Sequence, residues 1–474
     1  MITSMRSSHW KKLKMVESKS NDSKFNGLGT LKRWGAPEYD ESIMNPKRIL
    51  HFLCLSICYI VLGLIVGLTV LYLFFDTSTV GWLTALLYSS IAPAIFVIGL
   101  FCGIIIIRFS FMKNRMGIII ITSFCIFIFV SAIIPYATIP GAIADAENQM
   151  HETYGAAYTN LDTSFMRPVP YSLYDNIYGI PTDESKFSVQ ENIEYFDNGV
   201  DKFFFDWYRP TGEGPFPVMI TLHGGAWVIG DKGPMNIVLF SRYFASQGYV
   251  VFDLNYGLFD ISTMSGDVAG IFGTFADMGG GPNYNESYTL QQQIENIGEF
   301  TKMLDLNATK YSADIDNIFV VGRSAGAHMA SLVTLGYQNS LFTGNFSTNM
   351  TVKGGVWLYP PTNFSRSIGS SFFDPMMQGS LPLEDQYKKM SAAFLISNST
   401  VTPPILMVQG SKDGLVDYDQ TVSFYHYATS LGKKCLFVTI PWAGHGFDYV
   451  FQAYGGQIST YYIERFMALE LGGA

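Results

Sequence analysis

The sequence predicts an α/β domain with a mainly parallel sheet, preceded by three membrane-spanning helices. Three observations support this prediction. Three long apolar runs lie before Tyr136, and strand-like and helix-like runs alternate after residue 186. A serine between two glycines stands where one strand-like run meets a helix-like run. Alternation of this kind is typical of a parallel sheet covered by helices on both faces.

Three apolar runs fill most of the N-terminal part, at residues 49–75, 80–107 and 117–135. Each run is near or above the ~20 residues that an α-helix needs to cross the hydrocarbon core of a bilayer. A cleaved signal peptide fits poorly, because a long polar tail, residues 1–48, precedes the first run and the run itself is too long. We therefore predict three transmembrane helices in an integral membrane protein.

The charges beside the apolar runs predict their orientation, since short cytoplasmic segments are enriched in Lys and Arg. Residues 1–48 form a basic tail with ten basic and five acidic residues. The loop after the second run carries Arg108, Lys113 and Arg115 without an acid, whereas the loop after the first carries Asp76 without a base. We expect a cytoplasmic N-terminus and an extracytoplasmic domain, at the cell exterior or in an organelle lumen.

Acidic residues are concentrated after the apolar runs. The formal net charge of the chain is −9, and the residues from 136 onward hold 17 basic and 33 acidic side chains, a net charge of −16. Domains that bind nucleic acid present basic surfaces to its phosphates. Nucleic acid is therefore disfavoured as a partner, and neutral or lipid-like substrates are favoured.

Cysteines and sequons bear on the compartment of the large domain. Cys54, Cys58, Cys102 and Cys125 lie in the apolar runs and leave Cys435 alone in the domain, so no disulfide can form within it. Asn-x-Ser/Thr sequons are concentrated after residue 136, which fits a glycosylated lumenal domain and equally fits chance in an Asn-rich and Ser/Thr-rich sequence. They begin at Asn285, Asn307, Asn345, Asn349, Asn363 and Asn398, against Asn21 in the tail.

Residues 136–185 are predicted to connect the spans to a domain over 186–474, with a helical piece near 141–158. No internal repeat is visible. Strands are predicted near residues 187–195, 202–208, 218–222, 249–254, 318–322, 355–359, 405–409 and 436–440. Helices are predicted near residues 235–247, 290–306, 325–337, 420–431 and 457–471.

One long segment interrupts the alternation of strands and helices. Residues 257–287 are rich in glycine and aromatic residues. A loop of this length in a compact domain is usually functional or disordered. A flap over the active site is the preferred interpretation, and a surface insertion is the alternative.

The serine motif Gly322-Arg323-Ser324-Ala325-Gly326 follows the apolar run 317–321 and precedes a helix-like stretch. A serine at such a sharp strand-to-helix turn is the nucleophile-elbow pattern. Gly322 and Gly326 leave room beside the turn, and the helix directs its first N–H groups at the reaction centre. The motif alone is weak evidence, so the rest of the chain must supply partners for Ser324.

A serine nucleophile needs a histidine base, and in this pattern the base follows the serine in the chain. Only His328, His426 and His445 follow Ser324. His328 lies one turn along the same helix and is predicted to be a packing residue, while His426 lies in an amphipathic helix. His445 stands in a loop directly after the last predicted strand, where catalytic side chains are usually presented. We therefore predict His445 as the base.

The acid that orients the base should also follow a strand. Asp413 comes directly after the apolar run 405–409, whereas Asp417 and Asp419 lead into the next helix. Acidic residues at that position commonly complement the helix dipole. Asp413 is therefore the favoured acid, and the other two remain competitors.

Attack on an ester creates an oxyanion, which needs N–H donors already in place. His223-Gly224-Gly225-Ala226-Trp227 follows the predicted strand 218–222, where such donors are expected. We predict the N–H groups of Gly224 and Gly225 as donors, with Ala226 as a further candidate, together with that of Ala325. An ordinary Gly-Gly turn is the alternative. His223 is expected to shape this loop through hydrogen bonds.

Over residues 187–471 the chain resembles the hormone-sensitive-lipase and BD-FAE-like esterase branch of the α/β-hydrolases. The resemblance implies an eight-stranded, mainly parallel sheet and a triad of Ser324, Asp413 and His445. The membrane spans lie outside it. Ala226, Arg323 and Ala327 depart from the common pattern, which leaves the acyl group open. The motifs that carry it are residues 223–227 with 230–232, residues 322–326, residues 413–416 and residues 444–447.

The resemblance and the motifs predict a membrane-anchored serine esterase that needs no metal or organic cofactor. Amide hydrolysis, deacetylation and prenylcysteine methyl-ester cleavage use the same triad and are alternatives within the enzyme class. A noncatalytic binding domain on the same fold is the alternative from another class, disfavoured because all three triad residues are present. A transporter is a third option, but the spans hold few charges from which to build a pathway. No sequence feature specifies an oligomeric state.

Overall fold

Three long apolar helices precede the α/β part of the molecule. The computed structural model describes residues 46–75, 79–109, 115–233, 235–263, 270, 273, 281–399 and 401–472. The helices are α1 (Pro46–Phe74), α2 (Thr79–Phe109) and α3 (Arg115–Tyr154). Each of the three contains a stretch long and apolar enough to cross a membrane.

Helix α3 continues well beyond the predicted end of its apolar run at Pro135. It passes through Pro135 and Pro140 and ends at Tyr154, giving 40 residues or ~60 Å of continuous helix. A proline inside a helix removes one backbone hydrogen bond, but tertiary packing can compensate for the loss. Here the outer half of α3 buries Ile139 and Met150 in the core of the α/β domain. The first half of the predicted connector is therefore helical and packed.

The α/β domain is built on one eight-stranded sheet. Its strands are β1 (Phe187–Asp197), β2 (Lys202–Pro210), β3 (Phe216–Leu222), β4 (Val250–Leu254), β5 (Ala313–Arg323), β6 (Val352–Leu358), β7 (Ile405–Gly410) and β8 (Cys435–Ile440). The strand order is β1-β2-β4-β3-β5-β6-β7-β8; the pairs β1–β2 and β2–β4 are antiparallel, and all other neighbours are parallel. The predicted eight-stranded, mainly parallel sheet is confirmed.

Helices cover both faces of this sheet, because its central strands are apolar on both sides. All residues of β4 and β7 are buried, as expected for parallel strands between two helical layers. The helices after α3 are α4 (Ala156–Thr159), α5 (Leu173–Tyr178), α6 (Met235–Ser246), α7 (Leu290–Leu306), α8 (Ala325–Gly336), α9 (Leu383–Lys389), α10 (Ala392–Asn398), α11 (Tyr418–Ser430) and α12 (Tyr454–Glu470). One face of the sheet packs against α3, α6 and α12, and the other face packs against α7 to α11.

Helix α3 covers the outer edge of the sheet at β8. The side chain of Gln149 donates to the carbonyl of Phe437 at 2.8 Å and accepts from its N–H at 2.9 Å. An uncovered edge strand offers unpaired N–H and C=O groups to other chains. At this point α3 both satisfies the edge and joins the apolar helices to the sheet.

All eight predicted strands and all five predicted domain helices are present, within a few residues of their predicted bounds. Helices α5, α9 and α10 were not predicted. Much of the predicted flap over 257–287 lies outside the described residues, at 264–269, 271, 272 and 274–280. A flap therefore stays a prediction.

Candidate active site

Ser324 occupies a strained turn between β5 and α8. Its backbone has φ 53° and ψ −118°, a conformation that costs free energy for a residue with a Cβ. The Ser324 N–H donates to the carbonyl of Leu358 at 3.0 Å, which extends the ladder between β5 and β6 up to the serine. The turn thus presents the side chain at the carboxyl end of the sheet, as the motif predicts.

Two glycines allow the chain to pass so close to itself at this turn. A Cβ on Gly322 would lie 2.1 Å from the carbonyl oxygen of Gly326. A Cβ on Gly326 would lie 2.2 Å from the carbonyl oxygen of Leu222. Both distances are far below van der Waals contact, so neither position accepts a larger residue without backbone movement.

Ser324, His445 and Asp413 form one hydrogen-bonded row. Ser324 Oγ lies 2.9 Å from His445 Nε2, and His445 Nδ1 lies 2.9 Å from Asp413 Oδ2 and 3.2 Å from Oδ1. A carboxylate only accepts hydrogen bonds, so Nδ1 carries the proton and Nε2 is free to accept from the serine hydroxyl. This is the tautomer that a general base requires.

The geometry also distinguishes Asp413 from the two competing acids, Asp417 and Asp419. Asp413 is buried, and its Oδ1 accepts from the N–H groups of Leu415 and Val416 at 3.0 and 2.9 Å. Asp417 is exposed and caps the N-terminus of α11, and Asp419 is exposed in the first turn of that helix. Of the three acids, Asp413 is the one in contact with His445.

His328 is buried behind the loop of residues 223–227. Trp227 Nε1 donates to His328 Nδ1 at 3.1 Å, so the single N–H proton of neutral His328 is on Nε2. This N–H donates to the carbonyl of Met390 at 2.7 Å. Burial lowers the pKa of His328 to about 4, which keeps it neutral at physiological pH. His328 thus links Trp227 to the region before α10, whereas His426 is exposed on α11.

The loop of residues 223–227 lies directly against Ser324. A Cβ on Gly224 would lie 3.0 Å from the carbonyl oxygen of Arg323 and 3.3 Å from Ser324 Cβ. The His223 ring stacks on Tyr256 with centroids 4.4 Å apart, and the Tyr256 hydroxyl donates to the His223 carbonyl at 2.7 Å. Burial lowers the pKa of His223, which favours its neutral form. Its contacts hold the loop, as predicted for a shaping residue.

Several N–H groups near Ser324 have no partner within the part of the chain that the structure describes. Those of Gly225 and Ala226 donate to no protein acceptor there. The N–H of Ala325 is the first of α8 and has no acceptor within the helix. Gly225 has φ 123° and Ala226 has φ 51°, an arrangement that turns consecutive amides away from a regular strand.

Backbone strain is concentrated around the same place. Seven non-glycine residues of the described chain have a positive φ, and five of them lie in the segments that surround Ser324. Such outliers persist where the surrounding structure holds them, commonly at functional sites. The five are Ala226, Trp227, Ser324, Tyr359 and Trp442, and the other two are Asn192 and Ser312.

Arg323 and Asp448 form a buried ion pair beside the row, which the sequence analysis did not predict. Arg323 Nε donates to Asp448 Oδ2 at 2.6 Å, and the Tyr359 hydroxyl donates to Asp448 Oδ1 at 2.7 Å. The Tyr359 ring contacts the His445 ring with centroids 4.6 Å apart. The guanidinium of Arg323 lies over Phe240 at 4.4 Å. Through the Tyr359 ring, this network contacts His445.

Replacing Asp448 with alanine is expected to destabilise the domain by about 3–5 kcal/mol, because Arg323 would remain buried without its counter-charge. Thermal unfolding of the purified protein should show a Tm lower by roughly 10 °C. The double variant Arg323→Met/Asp448→Leu should lose less stability than Asp448→Ala, since it removes both buried charges. As a matched control, Glu384→Ala removes the exposed pair with Lys388 and should leave Tm unchanged. A Tm of Asp448→Ala equal to that of the control would contradict the expectation.

The fold and this geometry can be compared with known proteins. The BD-FAE family model matches residues 205–269 and 283–427. The match includes Ser324 and Asp413, whereas His445 lies beyond its end. This match and the eight-stranded sheet show the α/β-hydrolase fold. The predicted resemblance to the BD-FAE branch is confirmed by this match.

Curated relatives of the hydrolase domain carry esterase names. The probable carboxylic ester hydrolase LipM of Mycobacterium tuberculosis is 24% identical over 292 residues, covering 58% of this chain and 60% of that protein. The isoprenylcysteine alpha-carbonyl methylesterase ICME of Arabidopsis thaliana is 24% identical over 263 residues, covering 52% and 54%. The chain thus spans 54 to 60% of the length of these relatives. The crystal structure of esterase B from Lactobacillus rhamnosis aligns with a TM-score of 0.47 at 18% identity, covering 69% of this chain and 97% of that one.

Proposed function

We propose that this chain is a membrane-anchored serine hydrolase that cleaves carboxylic esters. The observation that carries the proposal is the row of Ser324, His445 and Asp413, in which both hydrogen bonds measure 2.9 Å. The hydrolase fold and the esterase names of the relatives support it. In this proposal Ser324 is the nucleophile, His445 the general base and acid, and Asp413 the group that orients His445.

The reaction proceeds in two steps through an acyl-enzyme. His445 Nε2 takes the proton from Ser324 Oγ as this oxygen attacks the ester carbonyl carbon, giving a tetrahedral oxyanion. As the carbon–oxygen bond to the alcohol breaks, His445 returns the proton to the leaving alkoxide, and the acyl group stays on Ser324. A water molecule then attacks the acyl carbon, His445 takes its proton, and the carboxylic acid leaves with Ser324 reprotonated.

The N–H groups of Ala325, Gly225 and Ala226, with that of Gly224 beside Ser324, are the proposed oxyanion donors. The first three lack a protein acceptor in the described chain, so they are available to the oxyanion. The fixed positive φ values of Gly225 and Ala226 keep the donors in place before the substrate arrives. Donors that need no reorganisation contribute most to stabilising the transition state, at about 3 kcal/mol each.

An aromatic cluster packs behind the loop that carries these donors. Trp227 follows Ala226 and meets Phe364 and Phe373 with ring centroids 5.6 Å away in each case. Phe364 in turn meets His328, one turn after Ser324, at 4.4 Å. Trp227 and Phe364 are 4% and 2% exposed, so the cluster supports the loop from the core. Amide hydrolysis, deacetylation and prenylcysteine methyl-ester cleavage use the same triad, and assays on matched substrates distinguish them.

The membrane anchor in this proposal is formed by α1, α2 and the first part of α3. The excess of basic residues in the tail and in the loop between α2 and α3 favours a cytoplasmic N-terminus and a hydrolase domain on the other side of the membrane. Protease added to the cytoplasmic side of sealed membranes tests the sidedness: protection of the hydrolase domain supports it, and loss of the domain contradicts it.

Labelling with a fluorophosphonate probe tests the nucleophile. The wild-type protein should become labelled at Ser324, because the probe reacts with a serine that an adjacent base activates. The Ser324→Ala variant should stay unlabelled and inactive on short p-nitrophenyl esters. Ser331→Ala is the control, since Ser331 is a buried serine on α8 that donates to the His328 carbonyl. Labelling of Ser324→Ala by the probe, or ester hydrolysis by this variant, would contradict the assignment of Ser324 as the nucleophile.

A further inference from the structure

Helix α3 runs antiparallel to β8, and this fixes which edge of the sheet faces the apolar helices. At the outer end of α3, the Tyr154 ring lies 4.9 Å from the ammonium of Lys434, just before β8 begins. In the middle, Gln149 bonds Phe437. At the inner end, the Tyr136 ring lies 5.2 Å from that of Tyr454, whose hydroxyl donates to the carbonyl of Pro441, just after β8 ends. The apolar part of α3 therefore lies beyond the carboxyl end of β8.

The proposed catalytic groups all lie at this edge. Strands β3, β5, β7 and β8 run parallel, so their carboxyl ends meet at one edge of the sheet. The loop of Gly224 and Gly225 follows β3, Ser324 follows β5, Asp413 follows β7 and His445 follows β8. The side of the domain that carries Ser324 is thus the side from which α3 enters the apolar bundle.

Helices α1 and α2 touch the loop that holds His445. The Tyr72 hydroxyl at the end of α1 donates to the carbonyl of Trp442 at 2.5 Å. Gly444 lies so close to Ala85 of α2 that a Cβ on the glycine would be 2.5 Å from the Ala85 carbonyl oxygen. The Ser90 hydroxyl reaches the carbonyl of Phe447 at 3.5 Å. Residues on both sides of His445 thus contact the apolar helices.

The position of these contacts along α2 places His445 near the bilayer surface. Helix α2 has 31 residues, or ~46 Å, whereas the hydrocarbon core is about 30 Å thick. Centred on that core, α2 extends ~8 Å beyond it at each end. Ala85 lies six residues after the start of α2 at Thr79, a rise of ~9 Å. The loop that carries His445 therefore lies at the depth of the lipid headgroups.

An exposed apolar segment, residues 171–178, extends this membrane-facing side. Its side chains Leu173, Ile177 and Tyr178 are 63%, 64% and 72% exposed, in a domain that is otherwise acidic. The segment is held at the membrane side, since the Tyr171 ring lies 5.8 Å from that of Tyr136. Gln457, in the first turn of α12, bonds both the N–H and the carbonyl of Ser172. Tyrosine and aliphatic side chains in such a position are typical of the bilayer interface.

We infer that the enzyme takes its substrate from the bilayer: a lipid-like ester whose apolar chain stays in the membrane while its carbonyl lies at the headgroup level, beside Ser324. This inference rests on the proposed function and adds its substrate class. The acidic domain, with its net charge of −16, disfavours a strongly anionic ester and favours a neutral or zwitterionic one. Segment 171–178 rests in the interface and holds the domain in this orientation.

The test uses the full-length protein reconstituted in phosphatidylcholine vesicles with two esters of one chromophore. p-Nitrophenyl acetate dissolves in water, and p-nitrophenyl palmitate partitions into the bilayer. Hydrolysis of the palmitate should follow its mole fraction in the bilayer, and dilution with more lipid at constant bulk concentration should slow it. Hydrolysis of the acetate should not respond to added lipid. A palmitate rate that follows the bulk concentration would overturn the inference.

A second arm uses the exposed segment, which takes no part in the chemistry. The double variant Leu173→Glu/Ile177→Glu puts charge at the interface and should lower kcat/KM for the palmitate roughly tenfold while leaving the acetate unchanged. Leu306→Glu is the matched control, because Leu306 is 85% exposed and precedes β5 at the opposite edge of the sheet. It should change neither rate. If the double variant behaves like Leu306→Glu, the inference fails, whereas no hydrolysis of either ester by the wild type would overturn the proposed function instead.

Discussion

His445→Ala is expected to lower kcat/KM for p-nitrophenyl acetate by roughly 10⁴- to 10⁶-fold. Without the imidazole, neither the Ser324 hydroxyl in acylation nor the attacking water in deacylation has an acceptor for its proton. The residual rate should come from the oxyanion donors and substrate binding alone. The measurement is the steady-state rate of detergent-solubilised protein, with the Tm of each variant recorded beside it.

His426→Ala is the matched control for this substitution. His426 is exposed on α11, and its removal should leave both the rate and the Tm unchanged. A fluorophosphonate probe should also label His445→Ala far more slowly than wild type, because the same proton transfer activates Ser324 toward the probe. A rate for His445→Ala within tenfold of wild type would show that another group acts as the base.

The elements of the sheet could be predicted because their signals are local. Strand β7 is an apolar run ended by Gln409 and Gly410, and β4 is apolar except for the buried Asp253. Helices α9 and α10 were missed because each has seven residues, too few to show a helical period. The extent of α3 was also missed. Its continuation through Pro135 depends on packing against β8, which is distant in the sequence.

The members of the proposed triad could be predicted for the same reason. Ser324, Asp413 and His445 each stand in a short motif directly after a strand, and parallel strands bring those ends together. Tyr359 and Asp448 have no such motif, so they were missed. One signal was available: Arg323 precedes the nucleophile at the end of a buried strand, where a guanidinium requires an acid. Asp448, three residues after His445, was the nearest candidate to the predicted site.

The contacts between the apolar helices and the loop of His445 could not be predicted from the sequence. Tyr72 and Ala85 meet Trp442 and Gly444 although most of the chain separates them, and no pattern in either segment specifies the other. The positive φ of Trp442 could not be predicted either, because non-glycine residues rarely adopt a positive φ. The structure therefore adds contacts between the apolar helices and the loop of His445 that the motifs alone did not contain.

Asp413→Asn is expected to lower kcat for the acetate by roughly 10⁴-fold with little loss of stability. Asp413 Oδ1 accepts from the N–H groups of Leu415 and Val416, and an asparagine oxygen can keep both bonds. Its amide nitrogen would then replace Oδ2 beside His445 Nδ1, and it donates where the carboxylate accepts. His445 would take the other tautomer, with its proton on Nε2, and could no longer accept from Ser324.

Asp417→Asn distinguishes the effect of the altered hydrogen bond at His445 Nδ1 from the general loss of a negative charge. Asp417 lies four residues further on, and its side chain accepts from the Asp419 N–H as the cap of α11, a role that asparagine also fills. The rate of Asp417→Asn should therefore match wild type. Equal losses in the two variants would mean that net charge near the site matters and that Asp413 does not orient His445. A rate loss confined to Asp413→Asn, with unchanged KM, is the result that the hydrogen bond from His445 Nδ1 to Asp413 Oδ2 requires.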